Sequence, residues 1–123
     1  MPVSILIIEN EKLVCEALSD ILDLGGHKSI VACDGEEGVD VFRANPNQID
    51  LVILDMRLPG LLGGADVLGE LQALRPDMRV IISSGDDRKK LTSQFGTNDH
   101  VFFLPKPYDV EDVLTTISHA LSV

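Results

Sequence analysis

Asp55 ends the apolar run Leu51-Val52-Ile53-Leu54, and Glu9-Asn10-Glu11 follows Ile5-Leu6-Ile7-Ile8. Lys106 stands between two prolines after Phe102-Phe103-Leu104, and Ser84 closes Val80-Ile81-Ile82-Ser83. Carboxylates, an amide, a hydroxyl and an ammonium together suit a hard divalent cation and a phosphoryl group. The cation takes oxygen ligands. The phosphoryl group spreads its charge over three oxygens, which need positioned cations and donors. Taken singly, each residue has an ordinary alternative. Asp55 could brace a turn, Glu9-Asn10-Glu11 could be a solvated turn, Lys106 a surface lysine and Ser84 a turn serine. Their joint order carries the argument, because each follows a run that reads as a buried strand.

The elements that must position them alternate strand and helix. Val3–Ile8 is short, β-branched and almost wholly apolar, as expected of a strand covered on both faces. A helix follows, with Val14, Ala17, Leu18, Ile21 and Leu22 at helical spacing and Gly25-Gly26 as its stop. Lys28–Ala32 is a less apolar strand, expected near an edge. Asp34, with Glu37 three residues on, forms a capping box for a second helix that ends at Asn45-Pro46-Asn47. Ile49–Leu54 is the third strand. A loop rich in Pro and Gly, Arg57–Gly64, leads to a third helix with Val67, Leu68, Leu71 and Leu74, closed by Arg75-Pro76. Arg79–Ser83 is the fourth strand. Residues 86–96 are polar, with only Leu91 and Phe95 at helical spacing, so that helix reads as weak or short. Val101–Leu104 is the fifth strand. Asp109 caps a final helix with the stripe Val110, Val113, Leu114, Ile117 and Leu121.

This is a (βα)5 pattern, α/β in class. Right-handed crossovers predict a flavodoxin-like, doubly wound five-stranded parallel sheet in the order 2-1-3-4-5. The first and last helices would cover one face and the other three the opposite face. Ligands in such sheets bind at the carboxyl ends of the strands, where all the candidate groups fall.

The length, 123 residues, suits one domain spanning 1–123, with no linker, repeat or low-complexity segment. Hydrophobic residues make up 45% of the chain, enough for a real core. Acidic residues number 20 against 10 basic ones, a formal charge of −10. That balance argues against nucleic-acid binding through this chain, since phosphate contacts need Lys and Arg. It favours solubility and monomeric behaviour. Cys15 and Cys33 lack metal-binding spacing and read as reduced core or near-core thiols of a cytoplasmic protein. No signal peptide is legible, and no apolar run approaches the ~18 residues of a membrane span.

Over essentially its whole length the chain resembles a response-regulator receiver domain. The matching pieces are Ile-Leu-Ile-Ile-Glu-Asn-Glu at 5–11, Leu-Val-Ile-Leu-Asp-Met-Arg-Leu-Pro-Gly at 51–60, Val-Ile-Ile-Ser-Ser-Gly at 80–85 and Phe-Leu-Pro-Lys-Pro-Tyr at 103–108. The resemblance implies that Asp55 is the phosphoacceptor and that Glu9 and Asn10 hold the positions of the metal-binding acidic pair. It implies that Ser84 is the switch hydroxyl, Phe103 the switch aromatic and Lys106 the phosphate-binding lysine. Mg²⁺ is the implied cofactor, with Glu9, Asn10, Asp55 and the Arg57 carbonyl as ligands. The implied partner is a histidine kinase or histidine phosphotransfer protein, with no membrane contact. The expected state is a monomer, or a weak dimer through the face formed by the 86–96 segment, the fifth strand and the final helix. The Ser-Ser-Gly and Lys-Pro-Tyr pieces are similar to receivers appended to hybrid histidine kinases.

Asn10 departs from the family pattern, where an Asp binds the metal directly. The lost charge predicts weaker Mg²⁺ binding, on the order of tenfold. It also keeps open a degenerate receiver acting as a phosphorylation-independent interaction module. A third reading, a haloacid-dehalogenase-like phosphohydrolase, wants a second Asp two residues after the first, where this chain has Arg57. The expectation is a switch that phosphorylates itself and slowly dephosphorylates, without turnover of an external substrate. Two geometric expectations complete the reading: a cis Lys106-Pro107 bond, and an Arg57–Asp86 pair partly covering Asp55.

Overall fold

A computed structural model describes residues 3–85 and 99–122. Its strands are β1 (Ser4–Ile8), β2 (Lys28–Ala32), β3 (Leu51–Asp55), β4 (Val80–Ser84) and β5 (Val101–Pro105). The helices are α1 (Lys12–Leu24), α2 (Gly35–Ala44), α3 (Gly64–Leu74) and a C-terminal helix, Val110–Ser122. The five strands form one parallel sheet in the order β2-β1-β3-β4-β5, as the alternating pattern predicts. The weak helix expected over 86–96, and with it Asp86, lies outside the described residues.

Two apolar layers flank the sheet. Leu6, Ile8, Val52, Leu54, Val80 and Ile82 point to one face and pack with Phe42 of α2 and Val67 and Leu71 of α3. Ile5, Ile7, Leu51, Ile53, Ile81 and Leu104 point to the other, against Leu18 and Leu22 of α1 and Val113 and Ile117 of the C-terminal helix. Full burial of such a side chain stabilises by roughly 1.5–3 kcal/mol. The central strands are apolar on both faces, which places them inside the sheet. β2 carries Ile30 and Val31 partly exposed and forms an edge, as its mixed composition suggests.

The helix signals act where the sequence puts them. Asp34 accepts the Glu37 N–H at 2.8 Å, and Glu37 reaches back to the Cys33 N–H at 3.3 Å. Asp109 accepts the Asp112 N–H at 2.8 Å while Asp112 accepts the Asp109 N–H at 3.2 Å. Several details differ from expectation. Ala17 of the expected α1 stripe is exposed, while Cys15 is buried as a core thiol should be and donates to the Glu9 carbonyl at 3.3 Å. Cys33 is exposed rather than near the core. Leu74 and Val110, at helix ends beyond the sheet, are exposed. Ile49 is buried but precedes the β3 ladder, which begins at Leu51.

The loop after β3 is shaped by two glycines. Gly60 adopts φ +91°, a left-handed conformation that favours glycine. A Cβ on Gly64 would lie 2.7 Å from the Met56 Cα and 3.0 Å from the Asp55 carbonyl, so α3 can start this close to β3 only without a side chain. Glu36, in the first turn of α2, accepts the Leu61 and Leu62 N–H groups at 2.7 and 3.1 Å, tying the loop across to α2.

Candidate functional site

β1 delivers Glu9 and Asn10 to the carboxyl rim. Glu9 is 2% exposed, and its N–H donates to the Ala32 carbonyl at 3.0 Å, extending the β1–β2 ladder by one residue. One of its carboxylate oxygens accepts the Glu11 N–H at 3.0 Å. β3 delivers Asp55, 6% exposed, whose Oδ1 accepts the Arg57 N–H at 3.2 Å. β4 delivers Ser84, also buried. The turn after β5 delivers Lys106, whose N–H donates to the Ser84 carbonyl at 2.7 Å. The Lys106-Pro107 bond is cis, as expected.

The Lys106 ammonium lies 3.3 Å from Glu9 Oε1 and 3.4 Å from Asp55 Oδ1. Residues 97 and 51 positions apart in sequence thus meet at one cation. Together Glu9, Asn10, Asp55, Arg57, Ser84 and Lys106, with Glu11 and Gly85, line an open cleft of about 300 Å³. Asn10 and Arg57 are exposed at its mouth. Phe103 stands apart from the others. It is half-buried on β5 and packs on the α2–α3 side of the sheet, outside the cleft.

Charge in this cleft is unbalanced. Burial pushes the Asp55 carboxyl above its ordinary value; the Arg57 N–H and Lys106 oppose that, while the nearby Glu9 carboxylate adds to it. Burial also acts on Lys106, to lower it, but the Asp55 and Glu9 carboxylates together outweigh this and leave the ammonium more firmly protonated. Two buried carboxylates therefore share one ammonium, and an additional cation would relieve their mutual repulsion. The donors on hand are hard oxygens, which suits Mg²⁺. Among the described residues no cluster of three or more Asp, Glu, His or Cys side chains converges as a metal site. The neutral Asn10 lines the same cleft.

Sequence reasoning missed three contributors. Glu11 orients Glu9 through its backbone N–H. Cys15 holds the Glu9 carbonyl. Ser83 lies beside Asp55 in the β3–β4 register, on the same face by strand alternation. A register fixed to Asp55 would have found Ser83. The other two depend on a thiol and a main-chain group, which carry no motif.

Known proteins share this fold. A response regulator receiver domain from Clostridium thermocellum superposes with a TM-score of 0.84 at 29% identity, covering 98% of this chain and 94% of its own. The receiver domain of the hybrid histidine kinase CckA gives 0.80 at 29% identity, with 96% and 98% covered. The CheX–CheY–BeF3–Mg²⁺ complex from Borrelia burgdorferi gives 0.87 at 27% identity, with 97% and 89% covered. Among curated sequences, Response regulator MprA of Mycobacterium sp. (strain KMS) is 32% identical over 93% of this chain, which spans only 48% of that relative. A cyclic di-GMP phosphodiesterase of Thermotoga maritima is 30% identical over 96% of this chain and 31% of its own length. The chain thus corresponds to about half or less of these relatives. The family profile of the response regulator receiver domain matches residues 5–118, from the first core position of β1 into the last turns of the C-terminal helix, and the protein belongs to that family.

Proposed function

We propose that Asp55 accepts a phosphoryl group from a histidine kinase or histidine phosphotransfer protein, and that the acyl phosphate switches partner binding. The observation that carries this reading is the position of Asp55: a buried carboxylate at the end of β3, 3.4 Å from the Lys106 ammonium and open to a cleft. A carboxylate oxygen attacks phosphorus, an aspartyl-phosphate bond forms, and the bond to the donor's nitrogen or acyl oxygen breaks with its electron pair. Asp55 must be ionised to attack, so burial tunes its nucleophilicity as well as its charge. Lys106 lies where it can take up charge on a phosphoryl oxygen. The Ser84 hydroxyl is suited to donate to a second oxygen.

Glu9, Asn10, Asp55 and the Arg57 carbonyl are the groups that would hold Mg²⁺. When bound, the ion neutralises negative charge on the incoming group. The Borrelia burgdorferi neighbour, solved with BeF3 and Mg²⁺, supports that assignment. Ser84 and Phe103 are the proposed switch, on the face opposite the carboxylates. The domain acts as a single unit over 1–123, without turnover of an external substrate and without contacting nucleic acid. No helix among the described residues is long and apolar enough to cross a membrane, and the proposed setting is cytoplasmic.

Incubation with Mg²⁺ and acetyl phosphate tests the reading. One phosphoryl mass should appear on the intact protein and be absent from Asp55→Asn. An adduct that persists in that variant overturns the assignment. A wild-type chain that takes up no phosphate with excess Mg²⁺ supports the phosphorylation-independent module that Asn10 motivates.

A further inference from the structure

Two hydroxyls beneath the cleft have no role in the reading above. Ser83 is 2% exposed, and its Oγ is buried, as is the phenol oxygen of Tyr108. Neither atom completes a hydrogen bond of full geometry with any described group. Buried hydroxyls without a partner are costly. Strand alternation places Ser83 on the face against which Tyr108 packs. Ile81 and Leu104 face the core under α1 and the C-terminal helix, so Ser83 faces it too, and Tyr108 packs against that same core. Burial pushes the Tyr108 phenol up, and the Ser83 hydroxyl is the largest influence drawing it back.

Their location has a mechanical meaning. Ser83 lies opposite Asp55 on one side and Leu104 on the other. Its carbonyl accepts the Met56 N–H at 3.3 Å, immediately after Asp55. The Ser84 carbonyl holds the Lys106 N–H at 2.7 Å. The end of β4 therefore already grips the acceptor strand and one side of the lysine turn. Tyr108 is the other side of that turn.

We propose that the Ser83 and Tyr108 hydroxyls pair and pin the turn Pro105–Tyr108 to β4, making both positioning residues that aim Lys106 at Asp55. This rests on Asp55 being the phosphoacceptor. Neither residue touches the reacting atoms. Each acts through the placement of the lysine ammonium.

The chain has one tyrosine and no tryptophan, so its near-ultraviolet absorption reports this phenol with no tryptophan background. Ser83→Ala, Ser83→Thr, Tyr108→Phe and the Ser83→Ala/Tyr108→Phe double variant would be compared for rate of acetyl-phosphate labelling with Mg²⁺. Second-derivative absorption would be recorded for the variants that keep the tyrosine. Tyr108→Phe preserves ring volume, so a folded variant is available even if Ser83→Ala melts. The expected result is a loss of roughly three- to tenfold in labelling rate for each single change. The double variant should be no slower than either single one, and Ser83→Thr should retain near-native rate. Ser83→Ala should shift the tyrosine band, and Ser83→Thr should not. Multiplying effects, or a band indifferent to Ser83→Ala, would each overturn the pairing. A shifted band with unchanged rates would overturn the positioning role. If no variant and no wild-type protein labels, the Asp55 reading fails by itself, and an unmoved band still refutes the contact.

Discussion

The two faces of the sheet do different work. Strand alternation on the α1 side leads, past the core residues Ile7, Ile53, Ile81 and Leu104, to Glu9, Asp55, Ser83 and Lys106. On the α2–α3 side, the rows that hold Ile82 and Val101 lead to Ser84 and Phe103. One face therefore ends in charges and the other in a hydroxyl and an aromatic ring. The cleft gathers the charged set and Ser84, while Phe103 remains in the apolar layer. A phosphoryl group on Asp55 would act on the charged face first. The opposite face would learn of it through the backbone at the end of β4, where the Ser83 and Ser84 carbonyls hold Met56 and Lys106. The lesson is that acceptor and readout can be separated by one residue of strand register.

The sharpest way to break this comparison is Asp55→Asn, for which labelling should fall from one phosphoryl per chain to none. The same variant has a stability signature. A carboxyl whose folded pKa is raised is most favourable when protonated: its contribution is full below its ordinary value of 3.8 and is lost as pH rises through the raised folded value. At neutral pH the ionised Asp55 therefore costs stability. The neutral amide of Asp55→Asn should raise the thermal midpoint by a few degrees at pH 7 and give no gain below pH ~4, a pattern that pH-dependent calorimetry would read.

Next in size is Lys106→Met, which strips the charged face of its cation. It leaves Glu9 and Asp55 buried without their counter-ion. Unfolding in urea at pH 7 should show a loss of about 1–3 kcal/mol, shrinking as the pH falls and Asp55 takes up a proton. Labelling should slow by more than about tenfold, since a transition-state cation is gone. Equal stability at both pH values would mean that the pair exerts no mutual field.

Phe103→Ala probes the other face. It should cost about 1–3 kcal/mol by denaturation, below the full cost of emptying a buried aromatic site because Phe103 is only half-buried. The rate of labelling at Asp55 should stay within about twofold of wild type. A large labelling defect would erase the division between the faces. The smallest change expected is Asn10→Asp. A third carboxylate should tighten Mg²⁺ by about tenfold in isothermal titration, because an anionic ligand replaces a neutral one. Unchanged affinity would show that Glu9 and Asp55 already provide the charge the ion needs.

Sheet order and the location of the site were legible because β1, β3 and β4 are short apolar runs and their polar successors all fall at one rim. The same uniformity hid the faces. In Val80-Ile81-Ile82 no polar residue marks which way alternate side chains point, so Ser84 was read as the strand-end hydroxyl while Ser83, on the other face beside Asp55, went unread. Cys15 was legible as a core thiol and is buried, but its bond to the Glu9 carbonyl was not, because a thiol carries no signal of a main-chain partner. Tyr108 carries no periodic signal, sitting in a turn where only the folded chain brings it under β4. Asn10 was visible at once, since a missing charge in an acidic rim is a difference of residue type and not of direction.

The Glu36 carboxylate that spans from α2 to the Leu61 and Leu62 amides has a consequence for tolerance to change. A Cβ at Gly60 would come within 3.1 Å of both carboxylate oxygens, and the residue holds φ +91°. Any side chain there strains the loop and crowds the Glu36 carboxylate that ties it to α2. The loop after β3 is therefore sensitive to substitution at a point that carries no chemistry.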